Sequence, residues 1–379
     1  MTGFDILTAG RVVFGRGRAS EAASAIRASG ARVLLLRGSH AVADRLAAEL
    51  RVLGTEVEEI RQTGEPLLDD LDAVVARGRE RRVDVVAALG GGSAIDTGKA
   101  AAALIPAPYP AMTYLEVVGE GRPLDVTPLP FIALPTTAGT GAEVTKNAVI
   151  GVPSHGRKVS LRDDRMLADL AIVDPALTDH APRGVTLASG LDAVTQVIEP
   201  YLSCRATPFT DALCRDAIPR GLKALSCLMR HEEEAARDDL ALSSLFGGLA
   251  LANAGLGAVH GFAGVLGGAT GAPHGALCGR LLPGVLRANA RAVAGEGGDL
   301  TRHHEVASWI GAALGETGDP IDLLEARIDA WGLPRLAAMG VEAFEVAALA
   351  EASRGSSSMR GNPVPLGLAT LEAILHDSL

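Results

Sequence analysis

The sequence predicts an α/β domain built on a parallel sheet over residues 1–182 and an all-α domain over residues 183–379. Short continuous apolar runs alternate with stretches of helical apolar spacing in the first half, and glycine-rich turns close two of those runs. Beyond Thr186 the strand-like runs cease. Val33–Leu36 reads as a strand, and Ala41–Leu53 follows with helical spacing. Val83–Leu89 repeats the strand pattern and ends in glycines, and Ala94–Leu104 reads as the helix after it. Phe131–Leu134, stopped by Pro135, and Ala171–Val173, stopped by Asp174 and Pro175, are further strands. Runs that are apolar throughout are what strands need when helices cover both faces of a sheet. In the second half Leu187, Leu191, Val194, Ile198 and Leu202 recur every three or four positions, the stripe of a buried helix. The boundary is expected near Pro182.

Composition narrows the function. Of 379 residues, 48% are hydrophobic and 21% charged, so the chain can fill a core and is neither disordered nor fibrous. A formal charge of −10 opposes a phosphate backbone, and aromatics at 3% leave little to stack on bases, so nucleic acid is not an expected partner. No long uncharged apolar run appears, and Asp5, Arg11 and Arg16 interrupt the amino-terminal stretch, so a cytoplasmic protein with no membrane partner is expected. Cys204, Cys214, Cys227 and Cys278 show no CxxC spacing and read as free thiols.

Two glycine turns carry chemistry. Gly90-Gly91-Gly92-Ser93 follows a strand and opens a helix bearing Asp96 and Lys99. Glycine lets the backbone approach a phosphate, and the amides at a helix start attract its charge. Pro135-Thr136-Thr137-Ala138-Gly139-Thr140-Gly141 packs three hydroxyls into a second turn after the strand Phe131–Leu134. Polar turns at the carboxyl ends of parallel strands point to one ligand crevice. In the helical half Asp192 and Gln196 share a helix face with Glu199 nearby, and His260 and His274 flank a glycine-rich stretch. Asp, Gln, His and His suit a first-row divalent cation, although each histidine taken singly is as well explained by a structural role. The remaining histidines read as surface groups: His303 and His304 as a solvated helix face, and His40 as the one lying just past a strand.

Together these segments resemble the iron-containing (group III) alcohol dehydrogenase family, whose fold is similar to that of dehydroquinate synthase. The resemblance spans Phe14-Gly15-Arg16-Gly17, Gly64-Glu65-Pro66, the two glycine turns, Lys158, Val173-Asp174-Pro175, Ser189-Gly190-Leu191-Asp192-Ala193, His260 and Pro273-His274-Gly275. It implies a Rossmann-like dinucleotide domain, a helical metal and substrate domain, an active site in the cleft between them, and a homodimer. It implies a nicotinamide dinucleotide held by Gly91, Gly92, Ser93, Asp96, Thr136, Thr137, Thr140 and Lys158. Many members carry an aspartate after the second strand that disfavours NADPH; Gly38 and Ser39 stand there instead, so NADPH is expected over NADH, with Arg37 placed to meet its extra phosphate. Fe2+ or Zn2+ is implied at Asp192, Gln196, His260 and His274, with Asp192, His260 and His274 carrying catalysis.

Two positions depart from the family pattern. Gln196 stands where an imidazole is usual, which predicts a weaker site and a more acidic cation, and Gly264 replaces a histidine four residues after His260, which enlarges the pocket. The reaction implied is hydride transfer between NAD(P)H and an aldehyde or ketone, or the reverse. The glycine-rich stretch Gly261–Gly271 and the segment Ser356–Pro363, with Arg360, are candidate pocket walls. Three alternatives remain at this stage: a metal-independent reductase similar to maleylacetate reductases, a lyase similar to dehydroquinate synthase, and a silent cofactor-binding protein.

Overall fold

The computed structural model describes residues 3–315 and 317–379; Met1 and Thr2, where the amino-terminal reading begins, and Glu316 lie outside the described residues. The chain divides into an α/β unit, Leu7–Thr137 with Gly141–Asp179, and a helical unit, which contains His180–Leu379 and the short segment Ala138–Thr140.

The α/β unit runs β1 (Arg11–Phe14), α1 (Ala22–Ser29), β2 (Arg32–Arg37), α2 (Val42–Val52), β3 (Glu56–Arg61), α3 (Leu68–Glu80), β4 (Val85–Gly90), α4 (Gly92–Leu104), α5 (Ala111–Tyr114), β5 (Phe131–Pro135), β6 (Asn147–Val152), β7 (Arg157–Arg162) and β8 (Leu170–Val173). Six strands form a parallel sheet in the order β1-β8-β5-β4-β2-β3, and β6 pairs antiparallel with β7. The central strands β2, β4 and β5 are the apolar runs expected, and their residues are almost all buried. One core face gathers Ile26, Leu35, Leu46, Leu50, Leu89 and Leu134 between strands and helices.

Strand β3 escapes the apolar rule because it lies at a sheet edge. Glu58 there pairs with Arg77 at 2.6 Å and Arg81 at 3.1 Å, and Glu59 pairs with Arg51 at 2.6 Å and Arg37 at 3.0 Å. Charge on an edge strand also blocks further strand pairing. Strand β2 is hydrogen-bonded on one side to its successor β3 and on the other to β4, so the winding reverses there. Ligands of open α/β sheets bind beyond the carboxyl ends of the strands at such a reversal, and both Gly38 and the turn Gly90–Ser93 lie at that point.

Helix α4 carries a lysine that no water reaches. Lys99 Nζ donates to Thr145 Oγ1 at 2.9 Å and to the Asn147 carbonyl at 2.8 Å, tying α4 to the start of β6. Burial lowers its pKa to about 8, against the opposing charges of Asp96 and Glu143. Burial also raises the Glu143 carboxyl to about 7, even with a backbone hydrogen bond and the Lys99 charge pulling it down.

The helical unit consists of α6 (Arg183–Leu202), α7 (Pro208–Leu228), α8 (Glu234–Ala254), α9 (Ala258–Thr270), α10 (His274–Gly295), α11 (Thr301–Leu314), α12 (Pro320–Ala330), α13 (Val346–Arg354) and α14 (Leu368–Ser378). Helix α6 is its centre: buried from Gly190 to Leu202, it packs against α7, α8 and α10. No single helix among the described residues is long and apolar enough to cross a membrane.

The buried Glu143 gives a pH test. Its folded-state pKa lies above the unfolded value of 4.5, so it contributes stability that is full below about pH 4.5 and is lost as pH rises through about 7. Glu143→Gln should remove that part of the slope in denaturant titrations between these limits and leave the variant more stable relative to wild type at pH 8 than at pH 4.5.

Candidate active site and metal centre

In the α/β unit the glycine-rich and threonine-rich turns lie side by side at the strand ends. Gly91 is the N-cap of α4 in an extended conformation and offers no side chain to its first-turn amides. A Cβ on Gly90 would lie 2.6 Å from that of Ala94, so only glycine lets β4 turn so closely into α4. A Cβ on Gly91 would meet the Thr137 side chain at 3.4 Å, which places the threonine turn beside the glycine turn. The Thr136 amide donates to the Gly90 carbonyl at 2.9 Å, and the Gly38 amide to the Leu89 carbonyl at 2.8 Å. Gly38, Gly90, Gly91 and Thr136–Thr137 therefore lie at neighbouring strand ends, the setting that a pyrophosphate requires.

Other predicted contacts are already engaged within the protein. Asp96 accepts from the Val149 amide at 3.0 Å, and Lys158 is ion-paired with Glu65. Arg37 Nη1 binds Asp44 at 2.5 Å and Glu59 at 3.0 Å, so its charge is paired with two carboxylates, while its Nε is buried without a hydrogen-bond partner. Ser39 lies in the bend after β2, next to Gly38.

The helical unit brings together Asp192, His260 and His274, and adds Cys278, whose spacing in the sequence reads only as that of a free thiol. One donor atom from each lies within 4.8 Å of all the others. Asp192 comes from the buried centre of α6, His260 from the first turn of α9, and His274 with Cys278 from successive turns of α10. His260 Nε2 lies 3.3 Å from Asp192 Oδ1, and His274 Nε2 lies 4.0 Å from the same oxygen. Yet Asp192 Oδ1 and His260 Nε2 are buried with no hydrogen-bond partner. Buried polar atoms are almost always satisfied, and two orphaned electron-pair donors facing one point, with a second imidazole and a sulfur around it, fit a divalent cation.

Glu199, two helical turns after Asp192, fixes the imidazole. Its Oε2 lies 2.6 Å from His260 Nδ1, and its Oε1 accepts the Val259 amide at 2.7 Å. A proton held on Nδ1 leaves Nε2 as the free donor, the usual carboxylate–histidine–metal relay. Burial opposes charge on both imidazoles, but the Cys278 sulfur and the neighbouring carboxylates outweigh it and raise the pKa of His260 and His274. Burial likewise pushes the Asp192 carboxyl up, and the histidines reverse that to a net lowering. The cluster thus favours positive charge inside it.

Glycines set the close approach. A Cβ on Gly275 would lie 2.2 Å from the Ala188 carbonyl oxygen, and one on Gly279 would lie 2.5 Å from Leu191 Cδ1, so α10 rests against the backbone of α6. Gly257 is needed because a Cβ there would meet Glu199 Oε1 and Asn362 Oδ1, each at 2.9 Å. Gly264 differs: a Cβ there meets nothing within 4 Å, which leaves open space one turn beyond His260. Gln196 lies on α6 one turn after Asp192, and its Nε2 donates to the Thr140 carbonyl at 2.6 Å. Met359, from the segment expected near the pocket, packs over Gly261, while Arg360 is exposed. His303 does not sit on a solvated face: both ring nitrogens are buried without a hydrogen-bond partner among the described residues, and burial lowers its pKa. His40 Nδ1 accepts the Val42 amide at 3.2 Å, a local turn before α2.

A doubly covered parallel sheet with a nucleotide cradle, joined in one chain to a buried carboxylate–imidazole centre, defines a nucleotide-dependent metalloenzyme. Its family is shown by comparison. Residues 9–175 match the model of the iron-containing alcohol dehydrogenases, and residues 186–379 match the C-terminal model of the Fe-containing alcohol dehydrogenase family. The chain is 36% identical over 314 residues to EutG of Escherichia coli (strain K12), described as a probable alcohol dehydrogenase, covering 82% of this chain and 76% of the relative. It is 29% identical over 338 residues to the 1-propanol dehydrogenase PduQ of Salmonella typhimurium, 84% of each chain. Among solved structures, a 1,3-propanediol oxidoreductase superposes with a TM-score of 0.89 at 28% identity over 100% of both chains. The chain belongs to the iron-containing alcohol dehydrogenase family and is an NAD(P)-dependent oxidoreductase.

The contact between α6 and α10 is testable. Gly275→Ala forces a methyl group into the Ala188 carbonyl, which should destabilise the protein by about 1–3 kcal/mol and separate His274 from Asp192. Thermal denaturation and metal content per chain measure the two effects, and both should fall together.

Proposed function

We propose that the chain interconverts a small aliphatic alcohol and its aldehyde or ketone with NADP(H), using a cation held by Asp192, His260 and His274. The observation that carries this is the pair of buried, unpartnered donors, Asp192 Oδ1 and His260 Nε2. When bound, a nicotinamide dinucleotide supplies or accepts the hydride and a divalent cation polarises the substrate oxygen. The protein's own part is positioning and electrostatics. The amides at the start of α4 and the threonine turn hold the dinucleotide, with Gly92 and Ser93 beside them, whereas Asp96 and Lys158 have to exchange their present partners, the Val149 amide and Glu65, to join it. Glu199 holds His260 in the tautomer that presents Nε2. The open space beside Gly264 admits substrate. A small alcohol is supported by the names of the relatives, a 1-propanol dehydrogenase and a 1,3-propanediol oxidoreductase. The reading extends to a homodimer, carried by the resemblance, and to a cytoplasmic setting, which suits four free cysteines.

The preference for NADPH rests on Gly38, which puts no carboxylate at the end of β2. The test is Gly38→Asp, whose Cβ would meet only Gly90 Cα at 3.4 Å and the Leu89 carbonyl at 3.8 Å, so the fold tolerates it. Repulsion of a 2′-phosphate should lower kcat/KM for NADPH by about tenfold or more, with little change for NADH.

For the cation, chelation should abolish alcohol oxidation and added metal should restore it. His274→Ala should lose metal and activity together, by orders of magnitude in kcat. Undiminished turnover in chelated protein would instead make this a metal-independent reductase.

A further inference from the structure

We propose that Cys278, rather than Gln196, supplies the fourth protein donor to the cation held by Asp192, His260 and His274; this rests on the metal reading given above. Cys278 follows His274 by one helical turn, so α10 presents a nitrogen and a sulfur on one face. Its Sγ lies 3.7 Å from His274 Nε2 and belongs to the set of donors that all lie within 4.8 Å of one another. Bonds of about 2.0–2.1 Å to nitrogen and oxygen and about 2.3 Å to sulfur, at near-tetrahedral angles, hold donors roughly 3.3–3.6 Å apart, and a cation so held takes the substrate oxygen only by expanding to a fifth ligand. The separations of 3.3 Å between His260 and Asp192 and 3.7 Å between His274 and Cys278 are close to that spacing, and the 4.0 Å between His274 and Asp192 is slightly longer.

Gln196 is the weaker candidate on two grounds. Its amide is oriented by the Thr140 carbonyl, which takes its N–H at 2.6 Å. Its oxygen is a neutral donor, whereas a thiolate is an anionic, softer ligand that binds zinc and cobalt more strongly. Two nitrogens, one carboxylate oxygen and one thiolate form a set suited to Zn2+ and to its spectroscopic substitute Co2+. The thiol loses its proton to solvent as the metal–sulfur bond forms, with no change of oxidation state.

The experiment is a Co2+ titration of chelated full-length protein followed by absorption. Wild type should develop a near-ultraviolet sulfur-to-cobalt charge-transfer band in proportion to the visible ligand-field bands. Cys278→Ser should lose the charge-transfer band, keep weakened visible bands, and bind cobalt about tenfold or more weakly. Gln196→Ala should keep the band. A surface group, Cys227, His231 and Glu233, is also able to gather around an ion, so Cys227→Ser must keep the band as well. The Cys204→Ser/Cys227→Ser double variant, which leaves the buried thiols untouched, decides the matter should Cys278→Ser not fold: the band present supports Cys278 and its absence overturns it. Visible cobalt bands without the sulfur band in wild type, or a band that survives Cys278→Ser, would refute the role of Cys278 alone. Wild type that takes up no cobalt would overturn the metal reading beneath it.

Discussion

The Glu199 carboxylate is the constraint on which the catalytic half of the molecule depends. One of its oxygens accepts the Val259 amide in the first turn of α9, where the helix dipole favours negative charge, and the other meets His260 Nδ1. A single buried side chain on α6 thus anchors the start of a second helix and selects the tautomer of the imidazole that the helix carries. The carboxylate is itself enclosed, since a Cβ on Gly257 would press on it and on Asn362 at 2.9 Å. Asn362 in turn accepts the Ala258 amide and exchanges hydrogen bonds with Asn289 of α10. Three helices and the segment after α13 are therefore held in register by one polar network.

Within that frame the ligand positions follow from backbone spacing. The glycines at 275 and 279 bring α10 against α6, and they are direct neighbours of His274 and Cys278. Small residues and donors alternate along the same turns, so the feature that permits helix contact also aims the donors. Asp192, itself on the opposing helix, lies close enough that a Cβ on Gly275 would stand 3.1 Å from its own. The donor separations are consequences of this packing.

Much of this was legible in the sequence, and the limits have physical causes. The central strands β2, β4, β5 and β8 declare themselves because both faces are covered, and uniform burial leaves uniform apolar runs. Strand β3 reads Glu-Val-Glu-Glu-Ile-Arg because its edge position is stabilised by arginines from α2, α3 and β2, a pattern that hydrophobic periodicity cannot separate from a loop. The pair β6–β7 is equally hidden: β6 is anchored through Lys99, a lysine that composition alone would assign to the surface. Asp192, His260 and His274 were readable from their resemblance to a family. Glu199 was visible only as a neighbour of that face. Cys278 lay outside the pattern because the family motif does not contain it; the available signal was its position four residues after His274, and spacing acquires that meaning only once the partner donors are known to surround it.

The departures from the family pattern are best understood as a question of charge. A carboxylate, two neutral imidazoles and a neutral amide would give a divalent ion only one negative donor of its own, and the second negative charge in this buried site, Glu199, stands behind His260 and away from the ion. Burying net charge is costly, and the usual remedies are pairing or neutralisation. A thiolate at position 278 places a second negative donor directly on the ion, while Gln196 holds the Thr140 carbonyl, and with it the turn through which the chain leaves the threonine-rich segment. The same compensation reverses the consequence of the glutamine: a neutral, sulfur-containing set binds more tightly and polarises oxygen less strongly than an amide-containing one. Selectivity for substrate then depends less on Lewis acidity than on the space that Gly264 leaves beside His260.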